Sequence, residues 1–124
     1  MKIDRLLAAL ALAAASTAAL AAGAPAKMAD GALVDAKGMT LYTFDKDTAN
    51  SGKSACNGPC ATLWPPAMAQ ASDKPSGSFG IVTRDDGSRQ WSYKGKPVYT
   101  YQADKKPGDR SGDKVKDVWH IIEE

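Results

Sequence analysis

Cys56 and Cys60 are the only thiols in the chain, set in Cys56-Asn57-Gly58-Pro59-Cys60. That spacing leaves three chemistries open. One helical turn would bring the two α-carbons within disulfide range, and an oxidising compartment would close the bond. Two thiolates could instead hold a soft ion such as copper, with Met39, Met68 or His120 completing the set. A dithiol could also cycle between oxidation states. Against copper, His120 is the single histidine and lies sixty residues beyond Cys60. Against cycling, redox pairs use two intervening residues on a thioredoxin-like α/β scaffold, and neither feature is present. The disulfide is the leading expectation, a small loop worth about 2 kcal/mol of unfolded-chain entropy; no cofactor is expected.

Carboxylates form the second set. Asp47 and Asp104 close two copies of one pattern, Tyr42-Thr43-Phe44-Asp45-Lys46-Asp47 and Tyr99-Thr100-Tyr101-Gln102-Ala103-Asp104. Just past a strand end, an aspartate can accept backbone N–H bonds and fix the loop that follows. The alternative is calcium held by Asp45, Asp47 and Asn50, or by Asp109, Asp113 and Asp117. The first cluster breaks the alternating ligand run of an EF-hand at Ala49 and places Cys56 where a glutamate belongs. Lys105, Lys106, Arg110 and Lys114 dilute the second.

Tyr42, Phe44, Trp91, Tyr93, Tyr99 and Tyr101 could line a groove that stacks on sugars, but such a set at period-two spacing more often forms a core and its cross-strand pairs. His120 alternates with Trp119 and Ile121 and is expected at solvent or an edge. No Ser/His/Asp arrangement, phosphate loop or zinc motif occurs, so no enzyme is expected.

The elements that position these residues follow from the repeat. Fifty-seven residues separate Tyr42 from Tyr99, Phe44 from Tyr101, Gly38 from Gly95 and Asp47 from Asp104. Each copy follows a Lys-Gly turn and precedes a tryptophan, Trp64 or Trp119. Self-similarity of this kind indicates two supersecondary units, neither able to bury its apolar face alone. Leu33–Ala36 and Met39–Phe44 read as a hairpin, as do Arg89–Tyr93 and Lys96–Tyr101, with Phe79–Arg84 and Val115–Ile122 as further strands. In the motif strand Tyr42 and Phe44 share one face, Leu41 and Thr43 the other. Pro59 suits the first turn of a short helix near Cys60, which Pro65-Pro66 stops. Pro97 belongs at an edge or a strand start. The expected fold is all-β, a small sandwich or barrel of two related antiparallel units, in one domain over residues 31–124 with repeats at about 31–66 and 79–122.

Residues 1–21 read as a secretory signal peptide: Lys2 and Arg5, an apolar run from Leu6 to Leu20, and an Ala19-Leu20-Ala21 cleavage pattern. Cleavage is expected after Ala21, leaving 22–30 as a disordered lead-in. The apolar run is short for a membrane span. The formal net charge of +2 is spread through interleaved acids and bases, with no basic stripe for nucleic acid.

The chain resembles the bacterial secreted-repeat family, described as predicted lipoproteins with a Tyr-x-[Phe/Trp/Tyr]-x-x-Asp motif. The match is carried by Gly38 to Phe44 with Asp47, by Cys56, Gly58, Cys60, Ala61 and Trp64-Pro65-Pro66, by Gln90-Trp91-Ser92-Tyr93 and Gly95 to Tyr99 with Tyr101 and Asp104, and by Pro107-Gly108-Asp109 and Trp119. It implies an exported bacterial domain and brings no established activity or ligand. Gly23 stands where lipoprotein members carry the acylated cysteine, so no lipid anchor is expected. The functional expectation is a periplasmic or secreted, non-enzymatic cell-envelope domain that binds or supports an unknown envelope partner. A periplasmic copper or redox protein using Cys56 and Cys60, and a carbohydrate-binding module, are the alternatives.

Overall fold

The computed structural model describes residues 25–123; residues 1–21, read above as a signal peptide, lie outside them. The chain opens with a hairpin, β1 (Ala26–Ala29) against β2 (Ala32–Asp35). Its two turn residues, Asp30 and Gly31, both have positive φ (51° and 84°), the backbone twist that a two-residue hairpin loop needs. Asp35 shapes the next turn, its Oδ1 accepting the N–H of Lys37 at 2.9 Å and of Met39 at 3.0 Å. After a single bridge between Val34 and Thr40, β3 (Tyr42–Phe44) leaves this hairpin and pairs with β8 (Trp119–Ile121) at the far end of the chain.

Between them, α1 (Pro59–Leu63) starts on a proline and ends before Pro65-Pro66. The second half repeats the first. Its hairpin is β5 (Phe79–Thr83) against β6 (Arg89–Tyr93), and β6 carries β4 (Met68–Ala69) and β7 (Lys96–Pro97) on its other edge. Pro97 thus sits in a two-residue edge strand, where its missing N–H costs little. A 3-10 turn, Val115–Asp117, leads into β8.

The two halves interlock. Leu41 donates its N–H to Leu33 O at 3.0 Å, and the equivalent Val98 donates to Trp91 O at 3.1 Å. Other equivalents cross between halves. Leu33 N–H reaches Ile122 O (2.9 Å) as Trp91 N–H reaches Ala67 O (2.8 Å), and Asp45 N–H reaches Val118 O (2.7 Å) as Gln102 N–H reaches Leu63 O (2.8 Å). At the centre Tyr42 and Tyr99 exchange both of their backbone bonds, at 2.8 and 3.0 Å. An approximate two-fold axis passes between those two residues. The result is strands in three small antiparallel sheets, with no closed barrel among the described residues.

Side-chain alternation along the motif strand feeds two cores. Leu41 joins Ala26, Leu33, Trp91, Val98 and Ile122, while Tyr42 and Phe44 join Cys56, Trp64, Tyr99 and Trp119.

Four elements differ from the sequence reading. The hairpin arm expected over Lys96–Tyr101 pairs with β6 only at Lys96–Pro97, because Tyr99 bridges Tyr42 and Pro66 instead. The lead-in expected over 22–30 contains β1, whose Ala-Lys-Met-Ala sequence lacks β-branched residues and is a strand because β2 pairs with it. The closing strand is shorter than Val115–Ile122, because left-handed backbone at Lys114, Lys116 and Asp117 makes a tight turn of its first part. The segment Met39–Phe44 is not one hairpin arm, since its second half is claimed by β8. No described helix is long and apolar enough to cross a membrane.

Candidate functional site

The repeated motif converges on one place. Trp64 and Trp119 lie face to face, 3.7 Å between ring centroids and 4° from parallel. Phe44 stacks on the outer face of Trp119 at 4.2 Å, and Tyr101 on the outer face of Trp64 at 3.9 Å. Each outer ring therefore belongs to the opposite half from the indole it covers. Tyr42 meets Trp64 edge-on at 5.4 Å, and Tyr99 meets Trp119 edge-on at 5.2 Å, the arrangement favoured by the ring quadrupoles. Gly112 leaves room for the stack, because a β-carbon there would stand 2.7 Å from the Trp64 ring.

The motif aspartates are buried beside these rings and cross over in the same way. Tyr42 donates its hydroxyl to Asp104 Oδ2 at 2.6 Å, and Tyr99 donates to Asp47 Oδ2 at 2.7 Å. The second oxygen of each carboxylate closes its own loop. Asp47 Oδ1 accepts the Ala55 N–H at 2.6 Å, eight residues on, and Asp104 Oδ1 accepts the Ser111 N–H at 2.9 Å, seven residues on. Burial, and then the neighbouring Asp104 carboxylate, push the Tyr42 phenol well above its ordinary value. Burial does the same to Tyr99, with Asp47 adding to it and the Ser54 hydroxyl working against it. Both phenols are thus held protonated as donors.

A polar network surrounds the Tyr99 side. The Ser54 hydroxyl lies 2.5 Å from the Tyr99 hydroxyl and also takes a hydrogen bond from Arg84 Nη1 at 3.0 Å. Arg84, only 7% exposed, further donates to Gln90 Oε1 (2.7 Å), Cys56 O (2.5 Å) and Asn57 Oδ1 (3.1 Å). Gln90 in turn donates to Val98 O at 2.8 Å. One guanidinium therefore ties the cysteine loop to the end of β5 and to β6. Sequence reading gave Arg84, Gln90 and Ser54 no role at the site. Arg84 adjoins the polar Asp85-Asp86-Gly87 turn and looks like a solvated residue, and nothing in its local pattern marks it as buried.

Cys56 and Cys60 form a disulfide with α-carbons 5.2 Å apart. Cys56 is wholly buried in the aromatic core and Cys60 packs against it. Joined in this way the sulfurs offer no thiolate to a metal. The other copper-set residues sit elsewhere: Met68 is half-exposed on β4, and His120 on β8 pairs through Nε2 with Asp45 Oδ2 at 2.9 Å, both partners open to solvent. The calcium-set carboxylates have other partners, Asp109 Oδ2 with the N–H groups of Lys105 and Lys106 and Asp113 Oδ1 with that of Ile121. Among the described residues no three His, Cys, Asp or Glu side chains gather where they could hold a metal ion. Of the aromatic set read as a possible sugar groove, Tyr42 and Tyr99 are wholly inaccessible, Phe44 and Trp91 nearly so, and Tyr93 and Tyr101 half-buried.

The arrangement therefore spends its polar chemistry inward. Every motif side chain (Tyr42, Phe44, Asp47, Trp64, Tyr99, Tyr101, Asp104 and Trp119) contacts another motif side chain, and most contacts cross the two-fold axis.

A family model described as a secreted repeat of unknown function matches residues 25–68 and again residues 80–123. No curated protein and no solved structure matches the chain.

Proposed function

The chain belongs to that family of secreted repeats, and from this premise we propose that it is a non-enzymatic cell-envelope domain whose surface loops bind or support an envelope partner. The observation that carries the reading is the inward use of the motif. Tyr42, Asp104, Tyr99 and Asp47 are buried and bonded to each other, so these shared side chains build the scaffold and bring neither their phenols nor their carboxylates to the surface. Recognition then falls to the loops it holds, 45–55 and 103–113, which are polar and project from a rigid frame. Export by a signal peptide cleaved after Ala21, and residence in the periplasm or the medium, complete the reading.

The test places a photo-crosslinking residue at Lys46 and at Lys105, one exposed position in each loop, and at the exposed Ala71 in the turn after β4 as a control, in the bacterium that exports the protein. One defined adduct from a loop position, absent from the control, is the expected result. Adducts from none of the loop positions, or turnover by the purified protein that a single substitution abolishes, would overturn the proposal.

A further inference from the structure

The aromatic core has a property that packing alone does not require. Its rings form an unbroken pile, Phe44–Trp119–Trp64–Tyr101, with centroid spacings of 4.2, 3.7 and 3.9 Å. Indole and phenol are the most readily oxidised aromatic side chains, and face-to-face overlap lets an electron vacancy pass between neighbours. The pile is also asymmetric at one point. Where the second half has Tyr101, half-buried at the surface, the first half has Phe44, which is nearly buried and resists oxidation. Only the Tyr101 end can accept an oxidising equivalent from outside.

At the inner end stand two phenols with a proton acceptor already in place. Tyr42 touches the edge of Trp64 and gives its hydrogen to Asp104, and Tyr99 touches the edge of Trp119 and gives its hydrogen to Asp47. Neither tyrosine is exposed at all. A phenol that loses an electron must also shed its proton, and away from water only such a partner can take it.

We infer that the domain captures a single oxidising equivalent at Tyr101 and stores it as a buried tyrosyl radical at Tyr42 or Tyr99, with Trp64 and Trp119 as the path between. A one-electron radical oxidant at the surface is reduced by one electron. The electron leaves Tyr42 through Trp64, or Tyr99 through Trp119 and Trp64, and exits at Tyr101. The phenolic O–H bond of Tyr42 or Tyr99 breaks, the proton forms a new O–H bond on Asp104 or Asp47, and a neutral phenoxyl radical remains. This activity is stoichiometric and does not depend on the proposed loop partner.

Flash photolysis of the exported protein with tris(bipyridine)ruthenium, oxidised by a sacrificial quencher, supplies the one-electron oxidant. Transient absorption should show an indole radical replaced by a tyrosyl radical, with a slower replacement in heavy water because the phenolic proton moves. In a Tyr93→Phe background, which removes the half-buried tyrosine outside the pile, the tyrosyl signal should persist. Adding Tyr42→Phe and Tyr99→Phe should abolish it and leave the indole radical. Persistence of the tyrosyl signal in that variant, its loss with Tyr93→Phe alone, or a replacement rate equal in light and heavy water would overturn the inference. The isotope comparison uses the unsubstituted protein, so an equal rate in the two waters overturns the inference even if the tyrosine variants fail to fold.

Discussion

Tyr42 gives its phenolic hydrogen to Asp104, the aspartate of the opposite repeat, 62 residues away in the chain and 2.6 Å away in space. Its own motif's aspartate, Asp47, takes the hydrogen of Tyr99 instead. The motif is thus written within each repeat and satisfied only between repeats. Neither half can complete its hydrogen bonds without the other.

This exchange predicts which residues couple. Tyr42→Phe leaves Asp104 Oδ2 and the Gly112 N–H without their partner, at a cost of about 1–3 kcal/mol. A double-mutant cycle of Tyr42→Phe with Asp104→Asn should give a coupling of about 0.5–3 kcal/mol. The cycle with Asp47→Asn, five positions away in the same motif, should be close to additive. Urea unfolding of the variants measures both.

Arg84 should be intolerant of lysine. Its fork serves Ser54, Gln90, Cys56 and Asn57 together, and an ammonium cannot span that planar set of acceptors. Arg84→Lys is expected to cost about 1.5–3 kcal/mol, the range for hydrogen bonds to a charged group, and to loosen the cysteine loop. Thermal unfolding reads the first effect and amide exchange at Cys56 the second.

Opening the disulfide should weaken the fold without changing it. The Cys56–Cys60 loop is short, so the chain-entropy contribution is about 2 kcal/mol. Cys60→Ser with Cys56→Ala keeps the buried position apolar. Its melting temperature should fall while the near-ultraviolet spectrum of the tryptophan stack stays the same.

Alkaline pH should unfold the protein through its two buried tyrosines. Their folded values lie above the ordinary 10.0, so between the two values the native state holds more protons than the unfolded chain. Stability contributed by these groups is fully present below pH 10, then falls as pH rises towards the folded values. A Tyr42→Phe/Tyr99→Phe variant should be less stable at neutral pH and lose this alkaline slope. Denaturant midpoints across the pH range provide the measurement.

Much of the fold was legible because it rests on local rules. Period-two alternation placed Tyr42 and Phe44 on one face, the recurrence at 57 residues revealed two units, and Pro59 with Pro65-Pro66 bounded α1. β1 was missed because Ala26-Lys27-Met28-Ala29 carries no strand signal of its own. Arg84 was missed because its burial comes from the loop around Cys56, which reaches it from 28 residues earlier.

That the chain is two copies of one β unit, and which side chains each copy turns inward, can be read from residue order alone, since alternation and turn chemistry act over a few residues. That Tyr42 answers to Asp104 rather than Asp47, and that Phe44 covers Trp119 rather than Trp64, emerges from the folded arrangement. Two identical patterns can pair within themselves or with each other, and local sequence is the same in either case. The choice belongs to the strands: β3 finds its hydrogen bonds on β8, and Tyr42 on Tyr99, so each motif is carried across the axis before its side chains meet.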